Sequence, residues 1–64
     1  NKYYTMKKII GEFTVKGDGN LSLITVYKGE DMMKGISCNP AQLDDKFKEV
    51  CLQVEKHVTN NKSK

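Results

Sequence analysis

Pro40 is the only proline in the chain, and the residues around it divide the chain into two kinds of structure. Proline suits the first position of a helix, where its missing N–H costs nothing, and it disfavours the helical region for the residue before it. Asn39, just ahead, is a good N-cap residue, and Gln42 falls where a capping box places its reciprocal side chain. Asp44 and Asp45 follow near the positive end of the helix dipole, with Lys56 near the negative end. Leu43, Phe47, Val50, Cys51, Val54 and Val58 then fall within one arc of about 100°. The opposite face carries Asp45, Lys48, Glu49, Leu52 and Lys56. The spacing predicts a helix from Pro40 to Val58, followed by a polar tail over 59–64 that frays.

Ahead of Asn39 the pattern is that of strands. After a lead-in over residues 1–5 that holds Tyr3 and Tyr4, the chain alternates from Met6 to Lys16. Ile9, Gly11, Phe13 and Val15 form the more apolar side. Lys16-Gly17-Asp18-Gly19-Asn20 supplies residues that tolerate positive φ, as a tight hairpin needs. Leu21–Tyr27 is rich in β-branched and large apolar side chains and reads as the returning strand. Lys28-Gly29-Glu30-Asp31 turns the chain again, and Met32–Cys38 reads as a shorter third strand. The expected fold is α+β: a small antiparallel sheet of three to four strands, then one C-terminal helix. Because the chain starts at Asn1, it reads as a single domain excised from a longer protein.

Sixty-four residues bury a modest fraction of their surface, so a disulfide, a metal or a second subunit often completes such a core. One histidine and two cysteines thirteen residues apart give no ligand cluster, so no metal or cofactor is expected. Cys38 and Cys51 permit a disulfide on paper, but one falls in a strand and the other on an apolar helix face, where reduced thiols are common. A second copy remains. Leu43, Phe47, Val50, Val54 and His57 are spaced 4, 3, 4, 3, the seam of a helix that meets another helix. Ordinary helix-on-sheet packing accounts for the same residues. With the small core, the seam favours a homodimer whose interface holds Leu43, Phe47, Val50, Cys51, Val54 and Val58.

No catalytic constellation appears. Cys51 and His57 lie about 120° apart around a helix, out of line for a nucleophile and its base. Asp18-x-Asn20-x-Ser22 fails as a calcium loop, because Leu23 stands where glycine is needed and Gly29 where the bidentate glutamate belongs. No apolar run reaches membrane-spanning length and no signal-peptide pattern is present, which reads as an intracellular protein without a membrane partner. Eleven lysines, no arginine and eight acids give a net charge of +3. Without arginine, bidentate reading of guanine is lost, so nucleic-acid binding would be led by the backbone and weakly selective. Lys7, Lys8, Lys16, Lys28 and Lys34 are the candidate phosphate contacts, and Tyr27 the candidate stacking side chain. The same lysines also serve to keep a small domain soluble and its sheet edges blunt.

The run Lys34-Gly35-Ile36-Ser37-Cys38-Asn39-Pro40-Ala41-Gln42-Leu43 resembles the strand-to-helix junction of the positive cofactor four family. Members of that family are transcriptional coactivators that bind single-stranded DNA as dimers. Their junction runs Lys-Gly-Ile-Ser-Leu, a capping residue that is often proline, then Glu-Gln-Trp. Lys48-Glu49 is similar to a Lys-Glu pair further along the family's helix. The resemblance implies a short curved antiparallel sheet, a single C-terminal helix, a homodimer and a groove for melted DNA, with Lys34 at the nucleic-acid surface.

The chain departs from the family where the family touches DNA. Its turn at residues 16–20 has no aromatic residue and adds Asp18, and Tyr27-Lys28 stands where an arginine and aromatic pair is typical. A lysine-, asparagine- and isoleucine-rich composition without arginine suits an AT-rich genome. In this the chain resembles the C-terminal domain of poxviral late-transcription factors. That likeness implies viral factories in the host cytoplasm, whereas a cellular coactivator implies the nucleus. Transcription or replication proteins would be further partners. The expected function is a dimeric, transcription-associated domain binding single-stranded nucleic acid. The alternative is a dimerisation or hub module of a viral transcription or replication factor whose nucleic-acid binding is weak or lies elsewhere. A small inhibitor of a host protein, anchored by Leu52, is a third reading.

Overall fold

The computed structural model describes residues 5–62, with side chains described through Asn60. Four strands run in sequence order, β1 (Thr5–Ile10), β2 (Phe13–Asp18), β3 (Leu23–Lys28) and β4 (Asp31–Ser37), as an antiparallel meander. A single turn of 3₁₀ helix, Pro40–Gln42, leads into α1 (Leu43–Lys62). The fold is α+β, and the helix packs across β1, β2 and β3.

The alternating stretch from Met6 to Lys16 is two strands, not one. Ile10 pairs with Phe13, so Gly11-Glu12 is a two-residue hairpin loop. Gly11 has φ +61 and Glu12 is not in the left-handed region, the pattern of a type II′ turn, whose twist matches the strands it joins. This turn shifts the parity of β1. Ile10 faces the core, and Ile9, expected beside Phe13 and Val15, lies on the other side of the sheet at 68% exposure.

The second hairpin also sits later than its glycines suggest. Asp18 pairs with Leu23, leaving Gly19–Ser22 as the loop. Asp18 Oδ1 accepts hydrogen bonds from the backbone N–H groups of Asn20 (2.9 Å) and Leu21 (3.2 Å), an Asx-type closure. The left-handed residue is Ser22, at φ 51, rather than Gly17 or Gly19. Gly17 is instead a buried strand residue in β2. The third turn falls where expected: Lys28 pairs with Asp31, and Gly29 has φ +65.

The register shifts between Val26 and Tyr27. Val26 faces Lys34 and Tyr27 faces Met32, so Met33 is an extra residue in β4. Such a bulge bends its strand and resets which side chains share a face.

The junction at Pro40 begins the helical region as expected, but without a capping box. Asn39 has the extended backbone of an N-cap (φ −66, ψ 143), yet its side chain makes no cap hydrogen bond. The Gln42 N–H goes to the Asn39 carbonyl at 2.9 Å, and the 3₁₀ turn satisfies these groups through the backbone instead. At its other end α1 continues to Lys62, past the expected end at Val58. No glycine or proline stops it, and adding residues to a formed helix is cheap. Thr5, expected in the lead-in, already pairs with Asp18 in β1.

Ile10, Val15, Ile24, Val26, Leu43, Val50 and Cys51 form the core, with Met6, Phe13, Ile36, Cys38, Phe47, Val54 and Val58 packed around it. Both cysteines are free thiols. Burial raises the pKa of Cys51 above the usual thiol value; Glu55 adds to this and Lys8 opposes it. No helix among the described residues is long and apolar enough to cross a membrane.

Candidate nucleic-acid interface

One face of the sheet carries the helix, and no element among the described residues covers the other. Strand alternation and the register assign each side chain. On the uncovered face three cross-strand rows run from β1 to β4: Thr5, Asp18, Leu23, Ser37; Lys7, Lys16, Thr25, Gly35; and Ile9, Thr14, Tyr27, Met32. The six candidate nucleic-acid residues therefore divide between two sides. Lys7, Lys16 and Tyr27 share the open face. Lys8, Lys28 and Lys34 belong to the helix side.

On the open face, Lys7 and Lys16 are direct cross-strand partners, and neither ammonium has an acidic partner among the described residues. The Lys16 Nζ lies 5.9 Å from the centre of the Tyr27 ring, within cation–π range. Met32 beside Tyr27, and Ile9 two strands away in the same row, add exposed apolar surface. Between Lys16, Asp18, Leu21, Leu23, Thr25 and Tyr27 the face dips into a concavity of about 200 Å³. Of the eight acids, Asp18 alone belongs to this face. Asp44, Asp45, Glu49 and Glu55 are on the helix, while Glu12, Glu30 and Asp31 cluster at the turns of the far sheet end.

The helix-side lysines have other work. Lys8 Nζ donates to Glu55 Oε2 at 3.0 Å, tying β1 to α1, and that hydrogen bond, with the carboxylate's charge, raises the Lys8 pKa. Lys28 lies 3.8 Å from Glu12, linking two turns. Lys34 lines an apolar groove of about 260 Å³ beside the helix, with Phe13, Val26, Met33, Val50, Val54 and His57. The Phe13 and His57 rings meet edge to face, with centres 5.7 Å apart.

The residues expected at a dimer interface are mostly committed to the chain's own sheet. Leu43, Val50 and Cys51 are buried, and Phe47, Val54 and Val58 are half-buried against the core. Helix-on-sheet packing thus accounts for most of the arc. What stays open is its flank: Val54 and His57 line the groove, and β4, which lies outside the helix footprint, supplies Met33 at 56% exposure. Met33 was not singled out by its sequence, since a bulge of this kind leaves no local signature. The Asx closure by Asp18 did leave one, because aspartate followed by Gly-Asn is a turn signal.

Among the described residues no group of three His, Cys, Asp or Glu side chains is placed to hold a metal ion. Comparison with protein-family models, curated proteins and solved structures finds no match to this chain.

Proposed function

We propose that the protein binds single-stranded nucleic acid across the open face of its sheet. The observation that carries this reading is the pairing of Lys7 with Lys16. Like charges directly opposite each other destabilise a sheet, and neither ammonium has an ion-pair partner to offset it among the described residues, Asp18, one row along, being the one acid on this face. A polyanion supplies that offset. Tyr27, beside Lys16, offers a π-face for a base, and base–aromatic stacking contributes about 1–3 kcal/mol per base. A lysine-bearing sheet face with one stacking ring suits a flexible strand better than a rigid duplex groove. The junction's resemblance to a coactivator family suggests single-strand binding in a transcription setting, although the lysine it implies at the nucleic-acid surface, Lys34, lies on the other side of the sheet.

The test is fluorescence anisotropy with labelled single-stranded and duplex DNA and RNA over a salt series. Single strands should bind more tightly, with affinity falling as salt rises. Lys7→Ala and Lys16→Ala should each lower the log–log salt slope by about 0.7, the single-strand increment per phosphate contact. Lys34→Ala, on the other side of the sheet, should leave the slope unchanged. Absence of binding at low salt would refute the reading.

A homodimer is the second part of the proposal, and the apolar groove beside Val54 and Met33 favours it. A core of seven buried apolar residues among those described is small, and a second copy laid along the groove would enlarge it. Met33→Lys, at an exposed position, should leave the fold intact and give the monomer mass by light scattering. A wild-type protein that is monomeric at high concentration would contradict this part.

A further inference from the structure

The concavity on the open face is a candidate base-binding site, and its acid sits where no phosphate-binding surface needs one. Asp18 lines it together with Lys16, Leu21, Leu23, Thr25 and Tyr27. The carboxylate does not simply hold the turn. Both backbone N–H groups of the Asx closure go to Oδ1, and Oδ2 accepts no hydrogen bond among the described residues. The turn therefore fixes the side chain and leaves one charged acceptor at the edge of a ring-sized hollow. Lys16 and Tyr27 line the same hollow, the ammonium 5.9 Å from the ring centre, and Leu21, 65% exposed, adds apolar surface.

We infer that this hollow takes one nucleobase, stacked by Tyr27, and that Asp18 selects a base bearing an exocyclic amine, with cytosine preferred over uracil or thymine. The inference rests on the single-strand reading above and gives it a base preference. Aspartate accepts from the amine of cytosine, the pairing that such side chains make with that base. Uracil and thymine present an imino N–H flanked by two carbonyl oxygens, which a carboxylate repels. One hydrogen bond to this charged acceptor should give a preference of roughly tenfold or more.

The experiment compares labelled oligo(dC) and oligo(dU) of about nine nucleotides, at mildly alkaline pH so that oligo(dC) stays unpaired. It uses wild type and Asp18→Asn. Asparagine keeps the turn, because its side-chain oxygen accepts the same two N–H groups, but it turns the outer group from acceptor into donor. Wild type should prefer oligo(dC). The Asp18→Asn variant should bind both strands more tightly, through loss of a negative charge, and should favour oligo(dU). Salt-sensitive, Lys16-dependent binding with no difference between the strands would overturn the inference and leave the general reading standing. An oligo(dC) preference unchanged in Asp18→Asn would also overturn it. Binding to neither strand would overturn both.

Discussion

Gly17 has no room for a side chain beneath the helix, so Gly17→Val should destabilise the fold measurably. Gly17 lies within β2 and is buried. A Cβ placed on it would stand 2.9 Å from Met6 Cε and 3.1 Å from Phe47 Cδ1. The first contact is with the end of a flexible side chain and can be relieved by rotation. The second is with a ring lying directly on the strand. Valine adds two methyl groups beyond that Cβ, so Phe47 must move and α1 with it. Overpacking of this kind costs about 1–3 kcal/mol, offset by about 0.4–1 kcal/mol from stiffening the unfolded chain. At mid-range, about 2 against about 0.7, the net loss is about 1–2 kcal/mol. A domain of this size shifts in Tm by roughly 4–8 °C per kcal/mol, so a fall of about 4–16 °C is expected by far-UV circular dichroism. Total stability of about 3–10 kcal/mol leaves the variant folded at room temperature. Gly17→Ala, whose Cβ meets only Met6 and the Phe47 ring edge, should stay within about 1 kcal/mol of wild type. A Tm unchanged or raised in Gly17→Val would refute the close approach of Phe47 to β2.

Other consequences follow from the core and its charges. Leu43→Ala removes one of the largest fully buried side chains, so it should cost about 2–5 kcal/mol; urea unfolding should show a lower midpoint with little change in slope. Because burial raises the Cys51 pKa, the native state holds this proton more tightly than the unfolded chain does. That contribution is complete below the ordinary thiol pKa and shrinks as pH rises through it toward the folded value. Cys51→Ala should therefore flatten the alkaline decline of stability, and a thiol reagent should label half-buried Cys38 before Cys51. Glu55→Gln breaks an exposed ion pair with Lys8, and its effect on Tm should be close to nil, as for most surface pairs.

The helix was legible because two independent signals agree: the Asn39-Pro40 start and an apolar arc that the structure then lays on the sheet. The third turn was legible too, since Gly29 lies between two strands of clear strand composition. The first hairpin was hidden by its own economy. A two-residue loop interrupts alternation so briefly that Ile9, Gly11, Phe13 and Val15 pass for one face. The remaining signal was Gly11 followed by a non-glycine residue, the type II′ preference. Gly17 misled in the opposite direction: it is a glycine because Phe47 lies on it, and no local pattern reveals a tertiary contact. The candidate site suffered from the same hidden turn and from the bulge. Each shifts parity by one residue, and parity alone decides whether a lysine in a strand faces the helix or the open side. Lys7 and Lys16 therefore part company with Lys8 and Lys34.

The most direct test of the open face is a titration of isotope-labelled protein with a short single-stranded oligonucleotide, followed by amide chemical shifts. Binding at this face predicts the largest changes at Lys7, Lys16, Thr25 and Tyr27, with Asp45, Lys48 and Glu49 on the outer side of the helix unmoved. Changes centred on Lys34, Val54 and His57, with the open face silent, would place binding on the wrong side of the sheet and contradict the account.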